Sequence, residues 1–100
     1  MTEITPGPDC TTMAEVRAGV DQVDRELVAL LGRRFACMDA AARIKPARGA
    51  VRDEDRKAQV IANAVAAAEA AGAPERVVAD LWEQLVEASI AYELEAFDRR

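Results

Sequence analysis

The sequence predicts an all-α fold of three helices per chain, one long and two shorter, assembled as an intertwined helical dimer. Three observations carry this. Apolar residues recur in steps of three and four from Val16 to Ile44, and helical patterns return in two later stretches. Pro46, Gly72 and Pro74 stand where helices stop and start, and divide the chain into three. No strand signal and no repeat interrupts these segments.

The first helix spans Met13 to Lys45. Thr12 and Glu15 form a T-x-x-E capping box: the hydroxyl takes one orphan N–H and the carboxylate reaches back for another. Val16, Val20, Val23, Leu27, Leu30, Cys37, Ala41 and Ile44 make a single buried stripe, and Arg34 fills its one gap. A guanidinium on an apolar seam must reach water or meet an anion, because an unpartnered buried charge is too costly. Lys45 lies about 20° from Arg34 around the axis, at ~100° per residue, so the two cations share a face. Pro46 then ends the helix. A rod from Met13 to Lys45 is about 50 Å long. A compact chain of this size has a radius of gyration of only ~13 Å. The rod would protrude with its stripe wet, and a second copy of the chain is the simplest cover.

Residues 46–52 form a loop containing Pro46 and Gly49. Asp53 caps the second helix, with Glu54 and Asp55 in a first turn where the macrodipole favours anions. Its apolar side is Val60, Ile61, Ala64, Val65 and Ala68, and Gly72 is the C′ glycine. Pro74 takes the first position of the third helix, which runs to about Arg99. Val78, Leu81, Trp82, Leu85, Val86, Ser89, Tyr92 and Ala96 face inward, with Ser89 and Glu93 one turn apart at the edge of that side. Trp82 and Tyr92 read as core aromatics. Residues 1–11, with Pro6, Gly7 and Pro8, read as a disordered N-terminal arm, and residues 12–100 as one helical domain.

Composition narrows the function. The chain has no histidine, which removes Ser–His and Cys–His nucleophiles and the usual zinc sites. Cys10 and Cys37 have neither metal nor redox spacing and read as free thiols. There is no signal peptide and no membrane-length apolar run, so the cytoplasm is the expected location. A net charge of −5 argues against general nucleic-acid binding. Yet residues 33–57 hold eight basic side chains against four acidic ones. Arg34 and Lys45 belong to this cluster, whereas Arg33, Arg43, Arg48 and Arg52 read as solvated, the last two able to draw in an anion.

A long helix carrying R-x(16)-R-x(10)-K, a short loop, and V-R-D-x-D-R opening the next helix resembles the small all-helical chorismate mutases. The carriers are Arg17, Arg34, Lys45, Asp53 and Arg56, with Ser89 and Glu93 near the end, and D-x-x-D-x-x-L-V-x-L-L-x-R-R over residues 21–34 is fairly specific. The match covers residues 10–97. The isochorismate pyruvate lyases share the fold and the cations, and D-C-T-T-M-A-E-V-R at residues 9–17 is similar to that branch.

The resemblance implies rearrangement of chorismate, a small dianion, to prephenate. The reaction is pericyclic and calls for no nucleophile, metal or cofactor. The protein holds the reactive conformer and stabilises charge on the ether oxygen. Arg17 and Arg34 would each grip a carboxylate, Lys45 and Glu93 would meet the ether oxygen, Arg56 would assist, Asp53 would contact the ring hydroxyl, and Ser89 would line the site. Asp53 also serves as a cap, Arg56 is spaced to pair with Asp53, and Ser89 suits a packing role. Lys57 stands where many relatives have glutamate, and Glu93 where most have glutamine. Removing Arg34 or Lys45 is expected to spare the fold. Arg17 and Lys45 are 28 residues apart, about 42 Å on a straight helix, so they share a ligand only if Arg17 comes from an antiparallel partner. The resemblance therefore implies a homodimer with shared sites. Two alternatives remain: release of pyruvate from isochorismate to give salicylate, and a non-catalytic helical dimerisation module.

Overall fold

A computed structural model describes residues 4–100. Among these residues there are three α-helices and no strand: α1 (Met13–Ile44), α2 (Glu54–Ala71) and α3 (Glu75–Asp98). Short 3-10 turns occupy Gly7–Asp9 and Arg48–Ala50. The chain divides into two compact units, Met1–Ala36 and Cys37–Arg100.

In the first unit the capping box closes as its spacing predicts. Glu15 N donates to Thr12 Oγ1 at 3.2 Å, and Glu15 Oε1 accepts from the Thr12 N–H at 3.1 Å. The Thr11 N–H and both threonine hydroxyls converge on the same carboxylate oxygen. These donors, the Thr11 amide foremost, lower the Glu15 pKa to about 2. The stripe is clearly marked yet uncovered: Val16, Val20, Val23, Leu27 and Leu30 are 38–53% exposed. Of the segment expected to be a disordered arm, residues 1–3 lie outside the described residues. The rest includes the turn at Gly7–Asp9, closed by Asp9 N to Pro6 O at 2.9 Å. An apolar hollow of about 460 Å³ lies between this segment and α1, lined by Ile4, Cys10, Val16 and Val20 among others, and none of the expected site residues lines it.

The second unit holds the core. α2 and α3 pack on each other, with Ala64, Ala68 and Val86 buried. Alanines at one-turn spacing let the helices approach closely. The link between them is a Schellman motif. Gly72 has φ 71°, its N–H reaches Glu69 O at 3.2 Å, and Ala73 N reaches Ala68 O at 2.8 Å. Pro74 is the N-cap rather than the first helical residue, so the helix starts one position later than expected. The helix boundaries otherwise fall within a residue of the sequence reading. The loop at 46–52 is more structured than its Pro and Gly suggest: it contains the Arg48–Ala50 turn, which packs against α3, and Val51 is buried.

Candidate functional site

Lys45 follows the last residue of α1, its N–H still bonded to Ala41 O at 2.9 Å. Its ammonium donates to Glu93 Oε2 at 2.7 Å and to the Val51 carbonyl at 3.3 Å. Glu93 lies on the inner side of α3 and is 4% exposed, deeper than the edge position its spacing indicates. The pair therefore joins a buried carboxylate to a half-buried cation. Two residues predicted from the sequence, 48 positions apart, meet directly.

Ser89, one turn before Glu93, is also buried. Its hydroxyl donates to Leu85 O at 2.6 Å, the back-bond that serine makes inside helices. Asp53 is the N-cap of α2, its Oδ1 accepting from the Arg56 N–H at 3.0 Å. The Arg56 guanidinium turns instead to Gln59 Oε1 at 2.7 Å. Arg17 and Arg34 belong to the unit Met1–Ala36, where Arg17 is exposed and Arg34 half-buried.

Several readings need correction. Arg48 and Arg52 are not merely solvated. Arg48 holds Asp98 through two bonds at 2.9 and 3.3 Å. Arg52 holds Glu87 at 2.8 and 3.0 Å and Glu54 at 2.9 Å. Lys57 bonds Glu83 at 2.7 Å and Glu87 at 2.8 Å, so it ties α2 to α3. Arg52, then Lys57, lowers the Glu87 pKa to about 2. Removing Lys45 would leave a buried carboxylate without its partner, so its loss should cost stability, where the sequence reading expects the fold to be spared.

Two further contacts shape this region without a local signal in the sequence. Arg100 Nη1 donates to the carbonyls of Ala42 at 3.1 Å and Lys45 at 2.7 Å, capping the end of α1, and its guanidinium stacks 3.7 Å over Phe97. Tyr92 is more than a core aromatic. Its hydroxyl donates to Asp39 Oδ1 at 2.8 Å, which raises the phenol pKa, with burial adding to the rise. Partners more than fifty residues apart leave no periodic trace.

Among the described residues no acidic or cysteine cluster has a metal-binding arrangement, and no helix is long and apolar enough to cross a membrane. The arrangement can present an ammonium to an anion or an ether oxygen, and a carboxyl group that accepts when ionised and donates when protonated.

Residues 16–94 match the family described as chorismate mutase type II. The isochorismate pyruvate lyase of Pseudomonas aeruginosa (strain PAO1) is 31% identical over 86 residues, which cover 86% of this chain and 85% of that protein.

Proposed function

The chain belongs to the chorismate mutase type II family, and from that premise we propose that it rearranges chorismate to prephenate at a site centred on Lys45 and Glu93. The observation that carries the reading is their 2.7 Å contact, with Glu93 buried. The ether oxygen of chorismate gains negative charge as its C–O bond breaks, and a preorganised donor in a water-poor site stabilises that charge strongly. Lys45 supplies one donor. Glu93 supplies a second only when protonated, because a carboxylate solely accepts.

Arg34 and Arg17 grip the two substrate carboxylates in this reading, with Arg17 from an antiparallel second copy. Arg56 assists, Asp53 meets the ring hydroxyl, and Ser89 lines the pocket. Asp53 can serve while remaining a cap, since one carboxylate accepts several bonds. The uncovered stripe on α1 supports the homodimer, as a helix face this apolar is normally buried.

A second reading is favoured by the named relative: the same cations would promote release of pyruvate from isochorismate. Incubation with each substrate separates the two. Prephenate from chorismate is the expected product. Salicylate fluorescence from isochorismate, without prephenate, would move the assignment to the lyase. No product from either would leave the non-catalytic dimerisation module.

A further inference from the structure

The segment 46–52 crosses beside Lys45, and it is fastened to α3 at two points. Arg48 meets Asp98 through Nε and Nη2, and Arg52 meets Glu87 through Nη2 and Nη1. Both contacts are two-pronged, so a planar guanidinium fixes direction as well as distance. Glu87 is held again by Lys57, and Arg52 again by Glu54, which ties the start of α2 into the same network. Glu87 and Asp98 are eleven residues apart on α3. That separation places them about 20° apart around the axis and ~16 Å along it, two anchors on one line of the helix.

Arg48 and Arg52 are four residues apart. Four extended residues cover at most ~14 Å, and the 3-10 turn at Arg48–Ala50 shortens the segment further. The long side chains make up the difference. Val51 lies between the two arginines, next to Arg52, and is buried with its carbonyl on the Lys45 ammonium. An ammonium has three N–H donors. Val51 and Glu93 take two, and this directs the third.

We infer that Arg48 and Arg52 are positioning residues: by clamping the 46–52 segment to Asp98 and Glu87, they hold the Val51 carbonyl against Lys45 Nζ and so aim that ammonium. The inference rests on the proposed role of Lys45 at the ether oxygen. All four clamp side chains are 42–59% exposed. Ion pairs so placed contribute little to stability. Their two-pronged geometry contributes orientation instead.

The test uses the full chain with Asp98→Asn, Arg52→Gln, and the charge exchange Arg48→Asp/Asp98→Arg. The first readout is the side-chain 15Nζ resonance of Lys45, which needs no substrate. It shifts in Asp98→Asn and Arg52→Gln and returns toward its original position in the exchange variant. The second is steady-state kinetics on whichever substrate the unaltered protein converts. Misaiming lowers kcat between about tenfold and a hundredfold with KM little changed, and the exchange restores it. Because the two clamps are independent and exposed, either variant alone is informative. A Lys45 resonance unmoved by both variants overturns the inference. So does a moved resonance with unchanged kcat. If the unaltered protein converts neither substrate, the functional reading fails, while the resonance still decides whether the clamps aim the ammonium.

Discussion

Replacing Lys45 by methionine keeps most of the side chain, one atom short, and removes its charge. Glu93 then loses a partner at 2.7 Å while its own side chain is 5% exposed. Breaking a fully buried pair costs about 3–5 kcal/mol, mostly because the remaining charge is uncompensated. The Lys45 side chain is 30% exposed, so water already screens part of the interaction. We therefore expect a loss of about 2 kcal/mol at neutral pH. In a chain of this size that lowers the melting temperature by roughly 8–16 °C. Urea unfolding at fixed protein concentration should show a lower midpoint with an unchanged slope. Adding Glu93→Gln replaces the stranded carboxylate with a neutral amide of the same shape. The double variant should regain most of the lost stability, giving a coupling energy of about 1–2 kcal/mol. Neither variant should regain activity, since a lost donor in a dry site costs about a hundredfold or more in rate. If Lys45→Met proves as stable as the unaltered protein, the ion pair does not hold a buried charge in solution and the reasoning fails.

Three other outcomes follow from the site and its surroundings. Mixing inactive Arg17→Ala and Lys45→Ala chains should restore activity after exchange, because one of two shared sites is then intact; a monomeric mass by light scattering would defeat this. Glu93→Gln, always a donor, should keep or raise turnover at pH 7–8, and a large loss of kcat would remove Glu93 from the ether oxygen. Glu87, with its pKa lowered from 4.5 to about 2, contributes stability that is present above that ordinary value and is lost as pH falls toward about 2. Acid unfolding of Glu87→Gln should accordingly be shallower between those pH values, and a curve parallel to that of the unaltered protein would contradict this.

The sequence made the helices legible because their signals are local. A capping box, a C′ glycine and a proline act within a few residues, and the structure satisfies each with the hydrogen bonds that its chemistry demands. Lys45 stood out locally as a cation sharing a face with Arg34, Glu93 only through the family resemblance, and the structure brings the two into direct contact. The clamps were not legible. Nothing near Arg48 announces Asp98, and Arg52 reads like any cation in a basic run. Lys57 illustrates the same limit: against a family pattern it appears as a missing contact, whereas in space it bonds two glutamates of α3. Asp53 shows the converse, a residue whose local reading as a cap is fully realised while its functional reading depends on a ligand.

The short link at Gly72 bears on the order in which the chain gains structure. α2 and α3 are joined through Gly72–Pro74, so the contacts nearest this link connect residues close in sequence. Closing a short loop costs little entropy, and local contacts form early. The Lys45–Glu93 contact spans 48 positions and closes a much longer loop. The helical hairpin should therefore appear as the first species on refolding, with the acid–base pair assembled only afterwards. Trp82, the single tryptophan, lies on α3 and gives stopped-flow fluorescence a reporter inside that early species.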